Sequence, residues 1–360
     1  MGGFRAILGS PLFPLRRYWT RFVGCLVFTL LIATAIGLPY PGRGGLFAAS
    51  ADLPVRIRVD GVLVSSGDAP VIEQGRVMIP LRSVVECLEG KVFWYPEEQQ
   101  VVGFRGARGF DLIIGATRAY LSDGTAYTLD APAKIIGGRT YVPLRFVSEA
   151  MGCKVEWEEA ARTAVITTTP VDIGKELEAL TIPTLLQIST DKGKCSGFFF
   201  SKSGEVITCA DVIKDASWIR AISSTGAEYE AEKMTVDSVF HLAKIRLKWS
   251  PGEEFPVFRY FDDFAGVEEG EPVYAFGSGI DTAEGKRFTA GKIWRKEANH
   301  EERGGISTYT VTAGITAASK GGPLVKESGA LLGVNYYAER DGVAVSYAIP
   351  VEYVFSMRNR

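Results

Sequence analysis

The sequence predicts a mainly β chain in which a duplicated α+β unit precedes a larger all-β half. Two observations lead there. The stretch "GRVMIPLRSVVECLEGKVFWYPEEQQVVGF" at 75–104 recurs as "GRTYVPLRFVSEAMGCKVEWEEAARTAVIT" at 138–167, 63 positions later and without a gap. From Leu185 onward, strand-length apolar runs are separated by Gly, Ser, Asp and Lys turns, among them "SGFFFSKSGEVITC", "EPVYAFGSG" and "GALLGVNYYAERDGVAVSYAIP". Runs at that spacing form sandwiches or barrels.

Residues 1–51 read as a signal peptide or signal anchor. Arg5, Arg16, Arg17 and Arg21 precede the uncharged run Phe22 to Leu38, and Ala49 and Ala51 form an A-x-A site in "FAASAD". The run is slightly short for a membrane span, so membrane association is expected only through this segment, and only if it stays uncleaved. Either way, the remaining chain is expected outside the cytoplasm, extracellular or in the cell envelope.

The second region runs over 52–169. Each copy of the repeat reads as a short strand, a helix opened by Pro80 or Pro143, and a strand carrying Trp94 or Trp157. Residues 170–184 change character and read as a docking linker, with "IGKELEAL" as one short helix. The all-β half takes 185–360.

Composition narrows the function classes. With 46% hydrophobic and 23% charged residues the chain can bury a core, and 40 Lys+Arg against 42 Asp+Glu leave nothing to attract nucleic acid. Outside the leader lie Cys87, Cys153, Cys195 and Cys209. In an exported chain they permit two disulfides in three connectivities. Cys195 and Cys209 flank a predicted hairpin at "SKSG" and are expected to pair across it, leaving Cys87 to pair with Cys153 or both reduced.

The "PLR" helix start and the "KVxW" strand in both copies resemble the copper amine oxidase N-terminal-like domain, a stalk module of exported bacterial proteins. In that family copper is held by a different domain, and this region has no histidine. No metal and no cofactor are expected. Arg82 and Arg145 are expected to serve packing within each repeat. Trp94, Tyr95 and Trp157 are expected in the core rather than as a platform for a cell-wall glycan.

The β half carries "CSGFFF", "TCADVI", "FHLAKIRL", "ASKGGPL" and "YAIP" in an order and spacing that resemble a trypsin-like, HtrA-type serine protease domain. The resemblance implies a double β-barrel. It assigns the catalytic histidine position to Asp211, the aspartate position to His241, the serine position to Lys320 and an oxyanion-binding glycine to Ala318. All four are substituted. Hydrolysis on this scaffold needs an imidazole beside a hydroxyl with a carboxylate behind it. No catalytic residue is therefore expected. Ser319 would need a shift that breaks the turn supported by Gly321 and Gly322. His300, in "RKEANHEERGG", is expected on a solvated loop, and neither it nor His241 has a metal-ligand spacing.

These substitutions predict an ion pair between Asp211 and Lys320 with His241 behind the carboxylate, in a groove that is either open or filled by side chains such as Tyr336 or Tyr337. The expected function is that of an exported pseudoprotease binding an extended peptide or envelope protein by strand addition. The rival expectations are an active endopeptidase with a rearranged site, and a structural or carbohydrate-binding envelope protein.

Overall fold

A computed structural model describes residues 54–64, 67–250, 252–262, 266–279, 287–300, 306–340 and 343–357. Residues 1–51, expected to be a signal peptide or signal anchor, lie outside the described residues. Among the described residues, no helix is long and apolar enough to cross a membrane.

The two repeats fold alike. Strand Arg76–Pro80 leads into helix α1, Leu81–Cys87, and strand Arg139–Pro143 leads into helix α2, Leu144–Ala150; both strands share one burial alternation. Pro80 and Pro143 sit at the N-cap, still extended, because a proline needs no amide partner there and its fixed φ feeds the first turn. The two strands then pair antiparallel, Met78 with Pro143, Ile79 with Val142, and Pro80 with Tyr141. Val142 is the repeat counterpart of Ile79. A strand that pairs with its own duplicate at equivalent residues generates a local two-fold axis, here through Ile79 and Val142. Val84, Val85, Leu88, Val147 and Met151 fill one core beneath this seam.

Two expectations fail in this region. Arg82 and Arg145 are exposed rather than packed. Trp94 and Trp157 are 38% and 39% exposed, on strands Lys91–Tyr95 and Lys154–Glu158, and thus are not core residues.

Helix α3, Ile173–Thr181, joins the halves. Asp172 caps it by accepting from the Lys175 amide at 3.1 Å. Its Glu176 pairs with Arg108 of the first half at 2.6 Å, and its Glu178 accepts from the Arg287 amide at 2.9 Å. Leu177 on its inner face is fully buried. The ends of the chain's two halves are therefore clamped together by one short amphipathic helix.

The second half is two closed six-stranded barrels, as the resemblance implied. The first comprises Leu185–Thr190, Gly193–Phe199, Glu205–Cys209, Ile219–Ser223, Glu228–Asp237 and Leu242–Leu247. The second comprises Pro272–Phe276, Phe288–His300, Ile306–Val311, Pro323–Lys326, Leu331–Arg340 and Val343–Pro350. Both close in the same order of strands, first, second, third, sixth, fifth, fourth. Closure leaves a sheet edge only where a strand runs on past its neighbour, as Leu331–Arg340 does beyond its pairing with Pro323–Lys326. A shared core of Phe198, Phe276, Tyr336, Tyr347 and Ile349, sealed by Leu177 and by Val351 and Val354 of helix α4 (Val351–Ser356), lies between the barrels.

His300 ends the long strand of the second barrel, paired with Ile306, rather than sitting on a loop. Its side chain lies outside what the structure describes. The disulfide expectation is also corrected: the four described cysteines are free thiols. The register extended by one pair sets Cys209 against Ser196 rather than Cys195; the two thiols are nonetheless hydrogen-bonded neighbours with no S–S bond between them, and the Cys195 thiol also lies 3.0 Å from Thr208 Oγ1. Cys87 is exposed at the end of α1 whereas Cys153 is buried beyond α2, directed to Met151 O at 3.7 Å.

Candidate functional site

The site forms where the barrels meet. Asp211 follows the strand ending at Cys209, and His241 stands just before Leu242, in the left-handed backbone region at φ 54°. Lys320 and Tyr336 come from the second barrel. The turn carrying Lys320 is pressed against the first barrel, where the Ser196 amide donates to Lys320 O at 2.9 Å. That approach needs Gly321: at φ 82° a Cβ would abut Ser196 O and lie 2.8 Å from Cys209 N.

The structure brings together three of the four residues singled out. Lys320 Nζ donates to Asp211 Oδ2. Tyr336 OH donates to the same oxygen at 3.0 Å and lies 3.2 Å from His241 Nδ1. With its one proton spent on Asp211, the phenol oxygen is the acceptor for an Nδ1–H. His241 Nδ1 is 3.9 Å from Asp211 Oδ1, in ion-pair range but too far for a hydrogen bond. The histidine thus reaches the carboxylate through Tyr336 rather than directly, and its ring stacks on the phenol with centroids 4.7 Å apart.

The ammonium is also framed by aromatic faces, 4.0 Å from the Tyr336 ring centroid and 5.3 Å from that of Tyr337. The Lys320 side chain is 16% exposed and that of Asp211 40%. The His241 imidazole, the Lys320 ammonium and the Tyr336 hydroxyl hold the Asp211 carboxyl well below the usual carboxylate range, against partial burial. Burial and the neighbouring Asp211 push the Tyr336 phenol up. Carboxylate, ammonium and phenol are closed on one another.

Backbone geometry completes the picture. The Lys320 amide donates to Thr316 O at 2.9 Å and the Ser319 amide to the same oxygen at 3.1 Å, so residues 316–320 form a closed helical turn. The Ser319 side chain is fully buried beneath it, its hydroxyl accepting from the Thr316 amide at 3.0 Å. Ala318 O accepts from Ser196 Oγ at 2.7 Å, and Ser196 Oγ accepts from the Ser278 amide at 2.8 Å. Sequence reasoning had Tyr336 only as a filler of the groove. Val334 and Tyr336 stand two residues apart on one strand and share the core between the barrels, and that period of two is the signal that could have placed it.

This two-barrel arrangement agrees with the comparisons. The family description "Trypsin-like peptidase domain" matches residues 195–334, so this part of the chain is similar to such a domain. The description "Copper amine oxidase N-terminal domain" matches residues 58–166.

Similar proteins to this peptidase domain include the human "Serine protease HTRA4", 32% identical over 44% of this chain and 33% of that protein. "Putative serine protease HhoB" of Synechocystis is 27% identical over 45% of this chain and 38% of the protein. "Serine protease HTRA2, mitochondrial" of Drosophila willistoni is 32% identical over 44% and 36%. The chain thus spans about a third of the length of the curated relatives it matches. These relatives are named as serine proteases, HhoB as a putative one.

Proposed function

We propose that the trypsin-like domain of this chain is a pseudoprotease, a binding module built on a protease scaffold. The observation that carries the reading is Lys320: its ammonium is committed to Asp211, in the place the resemblance gives to the attacking serine. A lysine attacks a carbonyl only through an unshared pair, which a carboxylate partner keeps protonated. The Lys320 amide, at the position that would stabilise an oxyanion, is already spent on Thr316 O. Among the described residues, Tyr336 is the hydroxyl hydrogen-bonded to the imidazole, and it is a phenol pushed up in pKa and bonded to a carboxylate.

Binding of an extended peptide finds support next to this cluster. Strand Leu331–Arg340 pairs with Val343–Pro350 along Gly333 to Arg340, but with Pro323–Lys326 only through Leu331 to Val334. Among the described residues, the segment from Tyr336 to Arg340 therefore has a strand neighbour on one flank only. An extended segment of an exported or envelope protein could add there, its backbone completing the ladder and its side chains reading Tyr337. The N-terminal sequence supports placing this activity outside the cytoplasm.

The test is direct. The purified chain should leave casein and fluorogenic peptides uncut and should not react with a fluorophosphonate serine probe. In hydrogen exchange, peptides selected from an extended-peptide library should protect amides within Tyr336 to Arg340. Turnover that the serine probe abolishes would overturn the pseudoprotease reading, and selected peptides that protect only other strands would overturn the binding edge.

A further inference from the structure

The two-fold axis at Ile79 and Val142 produces two equivalent clefts in the first half. One, of about 440 Å³, lies between Arg82 and Trp94 of the first copy and Gly138 and Arg139 of the second. The other, of about 430 Å³, lies between Arg145 and Trp157 of the second copy and Gly75 and Arg76 of the first. Each wall of one cleft is the repeat counterpart of the same wall in the other. Neither copy could make a cleft alone, since each contributes its helix and tryptophan strand to one and its hairpin to the other.

The residues that stay identical between the copies separate into two sets. Pro80 and Pro143, and Leu81 and Leu144, are buried, and packing accounts for them. Arg76 and Arg139, Arg82 and Arg145, Glu86 and Glu149, Lys91 and Lys154, and Trp94 and Trp157 are exposed. Packing makes no demand on them, yet the arginines and tryptophans stand around an opening in both copies, as Glu86 does in the first. Within each cleft the hairpin arginine already has a carboxylate: Arg76 Nε lies 2.9 Å from Asp130 Oδ2, and Arg139 pairs with Asp68. The helix arginine does not. Arg145 reaches Glu149 only at 4.0 Å, and among the described residues no carboxylate stands within ion-pair reach of Arg82. Trp157 is held by its indole N–H on Glu159, which leaves its ring face available.

We propose that these clefts bind two stretches of one carboxylated glycan chain. A sugar ring has an apolar C–H face and a rim of hydroxyls, which matches an indole face flanked by planar charged groups. The guanidinium of Arg82, and that of Arg145 with only its 4.0 Å contact to Glu149 to give up, supplies a forked donor for a carboxylate on the sugar. The duplication favours a repeating polymer: identical clefts grip identical units, and the second contact is intramolecular once the first is made. A peptide of unique sequence would not present the same group twice. The inference concerns the first half alone and is independent of the reading of the trypsin-like domain.

The experiment is calorimetric titration of the full chain with polyuronate oligosaccharides of increasing length, with neutral gluco-oligosaccharides in parallel. Affinity should rise at least tenfold once the oligomer spans both clefts, should fall with salt, and should be absent for the neutral series. Trp94→Ala and Trp157→Ala should each remove the length-dependent gain, and the double variant should abolish binding. Arg82→Gln and Arg145→Gln, both at exposed positions, should weaken binding tenfold or more with unchanged melting temperature. Absence of polyuronate binding, equal binding of the neutral series, or full binding by the Arg82→Gln/Arg145→Gln chain would each overturn the proposal.

Discussion

Arg259 Nε meets Asp111 Oδ2 at 2.6 Å, and this contact joins the repeat half of the chain to the segment that connects the two barrels. Both side chains are largely buried. Tyr260 OH adds a second donor to Asp111 at 3.2 Å, the Arg259 guanidinium lies 4.3 Å from the Tyr120 ring centroid, and Tyr260 meets Phe104 edge to face. Burial tends to lower Arg259, but its bond to Asp111 outweighs that and holds it above its ordinary range. Removing one partner from such a pair strands the other charge in a poorly solvated place, at about 3–5 kcal/mol. Arg259→Ala should therefore split thermal unfolding of the chain into two calorimetric transitions. Asp111→Leu with Arg259→Met, which removes both charges, should restore a single transition.

The Asp211 cluster has a definite pH signature. Because its carboxyl is held below the ordinary carboxylate range, the cluster's contribution is fully present above the unfolded value near pH 4 and is lost as pH falls through the lower folded value. The pair is partly exposed, so Asp211→Asn should cost only about 1–2 kcal/mol at pH 7, between the exposed and buried ranges. Urea unfolding should show that deficit unchanged from pH 7 to about 5 and shrinking below pH 4. A deficit that grows with acid would contradict the assignment.

Gly321 is the position where the turn tolerates least. Its φ of 82° and the nearness of Ser196 O and Cys209 N leave no place for a methyl group. Gly321→Ala should lose about 3 kcal/mol or more in denaturant midpoint analysis, combining left-handed strain with a backbone clash. A loss below about 1 kcal/mol would show that the turn can lift away from the first barrel.

Restoring the hydroxyl should not restore chemistry. In Lys320→Ser the new side chain would face the Asp211 carboxylate, while the residue 320 amide stays within the turn to Thr316. Fluorophosphonate labelling of Lys320→Ser should equal that of the unaltered chain. Rapid labelling would place an effective base beside residue 320 and would leave Lys320 alone, rather than Asp211 and the residue 320 amide as well, as what silences the site.

Much of the architecture was legible because it is written at short range. The repeat is a gap-free string, the prolines mark two helix starts, and apolar runs mark the barrel strands, so each could be found within a few residues of itself. What escaped depends on contacts between distant segments. Tyr336 joins Asp211 and His241 only when the barrels dock, and Ile79 meets Val142 only when the copies pair. The strand ending at His300 was hidden for another reason: "RKEANH" offers no apolar alternation, and its strand form comes from its ladder with Ile306 to Val311. Arg82, Arg145 and the tryptophans were misread because amphipathic side chains at matched positions look the same whether they fill a core or rim an opening.

The Ile79 to Val142 contact also sets the rules by which the two copies can drift apart. A change at an exposed wall residue such as Trp94 or Arg82 alters one cleft and leaves its twin as it was, so the pair can diverge step by step. A change at either member of that central pair is shared by both sides at once, and its nearest remedy is a matching change directly across the ladder. The seam and the common core are thus where the twins must keep evolving as a couple.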